Sequence, residues 1–595
     1  MKKEIEELQS VMASLGVDAY IITTNDFHGS EYVGDYFKTR EFMSGFTGSA
    51  GTLVVLSNES YLWTDGRYFI QAEKQLQNTG IKLMRAGEEN VPSVVDFLFE
   101  KLEENSKVGF DGRMVSRSFM EKLQNTLSKK NIIFSIEDDL VDRIWKNRPD
   151  ISKEKVWEVK EGFFGEKRSS KIEKIRENMK KNNADFLVLT ALDEIAYLTN
   201  LRGGDILYTP VFLGFMLVSE DSCELFAEES AFSEEIIKKL EDDGIRLNGY
   251  SQIYDALSKI PDKKRVMIDF DTANCRIIRS VNPYAQIINC ESPAVIMKAV
   301  KTKSEADNIR QAHIKDGVAV TEFLYWLKNN VCRENITEMM AAVMLEKIRS
   351  RQEGYIMQSF APIVGYAANG AIVHYEPSCD SSAVLLPRGL CLIDTGAHYD
   401  GGTTDITRTI PLGPVTEEEK RAYTLVLIGN LRLADAKFKY GVSGTNLDII
   451  AREPLWEHGL DYNHGTGHGV GYILGVHEGP QRIGWQTGEK KPAVLEEGMI
   501  ISDEPGFYAE GKFGVRHENL LMVKNSYKNE YGRFMEFETL TMVPFDIDGI
   551  DISLLNDKDI ELFNAYQQKV FDAISGFFEG EMLEWLRFYC RKIEK

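Results

Sequence analysis

The sequence predicts an α/β (α+β) protein of three domains, and three observations carry that prediction. A unit consisting of a helix and then a strand occurs twice in the amino-terminal half. Near residues 291–304, ESPAVIMKAVKTKS, proline and a lysine cluster precede a long helical pattern, and the character of the chain changes. Beyond that point, glycine-turned hairpins carry acidic residues inside apolar runs. The expected division is 1–150, 151–296 and 297–595, with a helical extension from about residue 546. A chain of 595 residues has the length for this, at about 100–200 residues per domain.

The repeat reads as follows. IEELQSVMASLGVDAYIITTND, from Ile5, and IEKIRENMKKNNADFLVLTALDE, from Ile172, share one layout of amphipathic helix and β-rich run. FMSGFTGSAGTLVVLS, from Phe42, and YLTNLRGGDILYTPVFLGFMLVS, from Tyr197, each follow as a glycine-marked turn feeding an apolar strand. The tail, with EMLEWLRFYCRKI, reads as helices whose aromatic stripe is core packing.

Composition narrows the function. A net charge of -22 disfavours binding to nucleic acid or to anionic membrane surfaces, which needs a basic face. No run approaches the roughly 18–20 apolar residues that span a bilayer, and the amino terminus has no apolar core of the signal-peptide kind. Seven cysteines without a C-x-x-C pair indicate a reduced, cytoplasmic protein.

The chemistry is expected in four carboxylates and one histidine. LCLIDTGAHYDGGTTDITRTIPL reads as a hairpin turning at Asp400-Gly401-Gly402, with Asp394 and Asp405 nearly opposite. MIISDEPGFY and FGVRHENLLMV form a second hairpin about Gly511, with Glu504 opposite Glu518. Each acid interrupts an apolar β run, where an unpaired carboxylate is costly, so a cation between the pairs is the natural complement. In HGTGHGVG, His464 and His468 stand four apart. Interior glycines cost a helix about 1 kcal/mol each, and the glutamate of H-E-x-x-H is missing. As extended chain, the two rings lie about 13 Å apart at about 3.3 Å per residue, so at most one binds a given ion. His468 is the expected fifth ligand. Oxygen-rich ligation with one imidazole suits Mn²⁺, Co²⁺ or Zn²⁺, and four carboxylates match two such ions with a bridging hydroxide, a hydrolytic centre. His374, His464 and His477 are then expected to donate hydrogen bonds to a carbonyl or a tetrahedral oxyanion.

DTGAHYDGGTTDITRT, HGTGHGVG, SDEPGFY and GVRHEN resemble the metal-binding segments of the pita-bread metallopeptidases, in the order Asp, Asp, His, Glu, Glu and in the 11- and 14-residue gaps within the acid pairs. GFTGSAGTLVV, WTDGRYFIQAEKQL and NLRGGDILYTPVF resemble the two creatinase-like domains of three-domain Xaa-Pro aminopeptidases. The resemblance implies a dinuclear enzyme, most often with manganese, that hydrolyses the Xaa-Pro bond of peptides with proline second, and it implies a homodimer. By position, Asp394 would chelate one metal, Asp405 and Glu518 would bridge, and His468 and Glu504 would complete the other ion, Glu504 also handling a proton. His374 and His477 would contact substrate with His464 nearby, Arg516 would orient ligands or substrate, and Arg67 in WTDGRY would reach substrate. Two positions depart from the pattern, GYAANG before Ala371 and His517, and neither is an expected ligand. A prolidase would use the same ligands but usually has one amino-terminal domain; a non-catalytic peptide-binding relative would have lost ligands that are present here.

Overall fold

The computed structural model describes residues 2–379, 381–486 and 491–595. They form two compact units, one of residues 1–159 with 166–295 and one of residues 160–165 with 296–595.

The first unit holds two six-stranded mixed sheets of identical topology. In the first, Ala19–Thr23 lies centrally, with Thr52–Leu56 and Ser60–Thr64 antiparallel on one side and Ile81–Arg85 added parallel at that edge. Lys107–Gly109 and Ile133–Ser135 extend the other side in parallel. The second sheet repeats this around Phe186–Leu189, with Gly214–Ser219, Cys223–Ala227 and Arg246–Gly249 on one side and Arg265–Ile268 and Gln286–Asn289 on the other. Even the stop signal of the leading helix recurs. Lys3–Leu15 ends at Gly16, φ 62°, with the Val17 N–H donating to the Met12 carbonyl at 2.9 Å. Arg168–Lys181 ends near Asn183, φ 51°, with the Ala184 N–H donating to Met179 at 2.9 Å. Glycine and asparagine are the residues that enter this left-handed cap at least cost.

The second unit opens on the 28-residue helix Lys303–Asn330, started by a reciprocal Thr302–Glu305 capping box. A three-stranded antiparallel sheet of Ile363–Tyr366, Leu390–Thr395 and Ile406–Pro411 carries the first acid pair. A four-stranded sheet of Lys437–Lys439, Gly532–Thr539, Asn519–Asn529 and Ile500–Asp503 leads into the second. The helix Glu417–Ala434 packs against these strands, and the tail helices Asp557–Ile574 and Gly580–Tyr589 close over it. Leu586, Tyr589 and Cys590 share one core with Val426 and Phe563, so the aromatic tail is packing. No helix among the described residues is long and apolar enough to cross a membrane, and all seven cysteines are free thiols.

Candidate metal centre

The first hairpin turns tightly, pairing Tyr399 with Gly402 and Asp394 with Thr407. Asp394 therefore does not face Asp405. Asp405 lies two residues along from Thr407, on the same face by the two-residue period, and is a diagonal neighbour of Asp394. The second hairpin keeps one register through two ladders. Asp503 pairs with Asn519, Gly506 pairs with Arg516, and the turn is at Gly511, φ 72°. Glu504 and Glu518 stand across from each other where the ladder opens between these pairs.

HGTGHGVG is not one strand. Only Gly467–His468 is extended, paired with Arg482–Ile483. Its glycines answer to close backbone approach: a Cβ on Gly467 would lie 1.9 Å from the Ser502 carbonyl oxygen, and one on Gly469 would lie 2.0 Å from that of Glu478. This packing directs His468 and His464 to different neighbours.

Ligand atoms of Asp405, His468 and Glu518 lie within 4.8 Å of one another. Glu504 adjoins this triad, with Oε1 3.3 Å from His468 Nε2, and Asp405 Oδ2 is 3.5 Å from the same nitrogen. Asp394 is held by Arg516, whose Nη2 donates to Oδ2 at 2.6 Å. The remaining oxygens Asp394 Oδ1 and Glu518 Oε1 are buried and find no hydrogen-bond partner among the described residues. Buried carboxylate oxygens are ordinarily satisfied, so orphaned ones converging with an imidazole fit divalent cations.

The electrostatics agree. Burial raises Asp394 to about 6 against the opposing pull of Arg516, with Asp405 adding repulsion. Burial likewise raises Glu504, and it raises Glu518 well above the usual carboxylate range, where Asp405 adds repulsion. Burial would lower His468, but Asp405 and Glu504 more than offset it and bring it to about 9. Burial and mutual repulsion thus penalise the charged carboxylates where cations would neutralise the cluster.

The other expected residues divide. The His477 ring packs edge-on against His468, with centroids 4.4 Å apart. His464 sits at the end of a chain in which Arg516 Nη1 donates to the Tyr508 hydroxyl at 2.6 Å and Tyr508 meets His464 Nε2 at 2.8 Å. His374 follows Val373, whose carbonyl accepts from Arg516 Nη2 at 3.3 Å. Arg67 lies in the first compact unit, paired with Asp65 at 2.9 Å and Glu31 at 3.3 Å. His517 is turned by strand alternation away from the acids and into the core, its ring centroid 4.3 Å from that of Tyr423 and 5.3 Å from that of Phe545. Burial, then Arg408, holds its pKa well below the usual histidine range, so it packs as a neutral ring where an aliphatic residue would.

Three contributors escaped the sequence reading. Tyr508 joins Arg516 to His464, as above. Thr407 donates to Glu518 Oε2 at 2.8 Å. Ser502 accepts from the His468 N–H at 2.9 Å and donates to Glu504 Oε1 at 3.1 Å. Tyr508 had a signal: it shares the even-numbered face of its hairpin with Glu504, Arg516 and Glu518.

A buried acid cluster with one imidazole, set on paired hairpins, defines the class as a metallohydrolase. Residues 307–525 match metallopeptidase family M24, residues 4–142 and 147–305 each match a creatinase/prolidase N-terminal domain, and residues 533–593 match the C-terminal region of peptidase M24. A probable Xaa-Pro aminopeptidase P of Botryotinia fuckeliana is 38% identical over 99% of this chain and 92% of its own. Xaa-Pro aminopeptidase 1 of Dictyostelium discoideum is 35% identical over 99% of this chain and 96% of its own. The crystal structure of the X-prolyl aminopeptidase of Caenorhabditis elegans, a cytosolic enzyme with a di-nuclear active site, superposes with a TM-score of 0.95 at 32% identity, covering 99% of each chain. The chain belongs to metallopeptidase family M24, in its Xaa-Pro aminopeptidase branch, with creatinase-like amino-terminal domains and a pita-bread catalytic domain, and it is a metal-dependent aminopeptidase.

Proposed function

We propose that this enzyme releases the first residue of peptides whose second residue is proline, using two Mn²⁺ ions held by Asp394, Asp405, His468, Glu504 and Glu518. The carrying observation is the convergence of Asp405, His468 and Glu518, with Asp394 near enough to repel Glu518 and an orphaned oxygen on each of these two acids. Two divalent cations bound there supply Lewis acidity toward water and the scissile carbonyl.

The chain's own residues do the rest. Glu504, raised by burial and backed by the Ser502 hydroxyl, takes a proton at Oε1 and returns it to the departing proline nitrogen. Arg516 fixes Asp394 while supporting the Tyr508–His464 pair, so one guanidinium aligns a ligand and a wall of the site. His374 and His477 hydrogen-bond the peptide around the scissile bond. The Xaa-Pro imide has no N–H, so recognition falls on side chains that grip carbonyls and the ring. The division into domains at 1–150, 151–296 and 297–595, a homodimer and a cytoplasmic location complete the reading, the last supported by the seven free thiols.

The test is peptide analysis on metal-stripped protein, with and without Mn²⁺, offering Arg-Pro-Pro, Arg-Ala-Ala and Arg-Pro. Free arginine from Arg-Pro-Pro alone, restored by Mn²⁺, is the expected result. Preferential cleavage of Arg-Pro would make it a dipeptidase, and no cleavage by the metal-loaded protein would overturn the assignment.

A further inference from the structure

The buried acid Glu338 lies outside the metal centre and takes no part in the chemistry above. It is the first residue of the helix Glu338–Arg349, is 0% exposed, and faces the segment that contains GYAANG and His374. Its carboxylate gathers that segment from both ends. Oε1 accepts from the Tyr366 N–H at 2.7 Å and from Asn369 Nδ2 at 3.1 Å. Oε2 accepts from Asn369 Nδ2 at 3.1 Å, the Tyr375 hydroxyl at 2.8 Å and the Ala383 N–H at 2.7 Å. Asn369 and Tyr375 also bond each other at 3.1 Å.

The segment needs such an anchor. Ala367 has φ 49°, a conformation that residues with a Cβ rarely adopt and that costs about 1–3 kcal/mol unless its surroundings impose it. The 3₁₀ turn Ala367–Ala371 is also pressed against the second acid hairpin: a Cβ on Gly514 would lie 1.8 Å from the Gly370 oxygen. Immediately before His374, Arg516 holds the Val373 carbonyl at 3.3 Å while holding Asp394. His374 thus sits between a metal-side clamp and a set of bonds that all end on one carboxylate. Acidic side chains are favoured at helix starts, and five hydrogen bonds satisfy the Glu338 oxygens there.

We propose that Glu338 is the positioning residue of the substrate wall: its carboxylate sets the conformation of residues 366–375 and so the placement of His374 against the scissile bond. This rests on the reading of His374 as a substrate contact. It also gives GYAANG a role, since Asn369 of that motif is the only side chain in it that reaches the carboxylate through both oxygens.

The experiment is a double-mutant cycle on the full-length, Mn²⁺-loaded protein with Arg-Pro-Pro as substrate, with metal content measured on every variant. In Glu338→Gln an N–H₂ group replaces one accepting oxygen and faces the N–H and O–H donors that this oxygen had accepted from, so the wall shifts. Misplacement on the ångström scale costs about 10- to 100-fold, and we expect that loss in kcat/KM, mainly in kcat, with the same metal content as the parent. In a His374→Ala background the same change is expected to cost less than about 2-fold, because the group it positions is gone. Undiminished kcat/KM in Glu338→Gln, or an equal loss in both backgrounds, overturns the proposal. Should Glu338→Gln fail to fold, Tyr375→Phe removes one of the donors and keeps the ring. Its expected loss of about 3-fold must likewise vanish without His374, and persistence of that loss overturns the proposal. A His374→Ala enzyme as active as the parent overturns instead the assignment of His374.

Discussion

Two buried charged clusters in the catalytic unit solve the same electrostatic problem in opposite ways. At one, Asp316 and Arg349 are both 0% exposed and fully matched. Arg349 Nε donates to Asp316 Oδ1 at 2.6 Å and Nη2 to Oδ2 at 3.2 Å, while Tyr399 and Thr404 hydroxyls fill the remaining sites at 2.9 and 2.7 Å. At the other, Asp394, Asp405, Glu504 and Glu518 share one arginine, Arg516, and one imidazole, His468, and two oxygens are left over. The first cluster is complete within the chain; the second is completed only by something added. They are also physically joined. Arg349 Nη1 bonds Thr395 Oγ1 at 2.5 Å, next to Asp394, and Thr404 precedes Asp405, so the satisfied pair braces the hairpin that presents the unsatisfied one.

The contrast is broken most severely at the open cluster. His468→Ala is expected to lower kcat/KM by about 10³-fold or more and to reduce bound metal, measured by elemental analysis beside peptide hydrolysis. Unchanged metal content would place the site elsewhere. The closed cluster breaks differently. Arg349→Met leaves Asp316 buried and unpaired, at an expected cost of about 3–5 kcal/mol in denaturant unfolding, and pairing it with Asp316→Asn should recover much of that loss.

The smallest effect concerns protons at the open cluster. Asp394 sits at about 6 in the fold, against about 3.9 in the unfolded chain. Between those values the folded metal-free protein holds a proton that the unfolded chain has released. Stability from this group is therefore present at and below about pH 4 and is lost as pH rises to about 6, by about 2–3 kcal/mol. Unfolding of the metal-free parent against metal-free Asp394→Asn, at pH 4.5 and 6.5, reads this directly. The parent should lose stability relative to the variant across the interval.

Legibility followed the range of the interactions involved. The repeat could be read because helix, cap and strand are local signals, and Gly16 and Asn183 mark equivalent stops in both copies. The second hairpin could be read because the turn at Gly511 fixes a register that carries Glu504 across to Glu518. The first was misread by a small slip. The turn that pairs Tyr399 with Gly402 puts Thr407 opposite Asp394, and a turn centred on Gly401 would give Arg408, so by either count Asp405 is a diagonal neighbour of Asp394 and not its partner. HGTGHGVG was misread as one strand because its glycines answer to Ser502 and Glu478, more than 30 and about 10 residues away, which no local pattern reveals.

By itself the sequence determined the fold class, the doubled amino-terminal unit and a set of acids inside apolar strands that calls for a cation. These rest on periodicity, turn chemistry and the cost of burying charge, all of which act on residues near one another in the chain. Only the tertiary structure decided that Arg516 clamps Asp394, that Tyr508 carries that clamp to His464, that His517 is core, and that Glu338 and Arg349 stand behind the loop and the hairpin of the site. Each of those contacts joins segments dozens of residues apart, and a side chain's partner at that separation is set by how elements pack rather than by its neighbours in sequence.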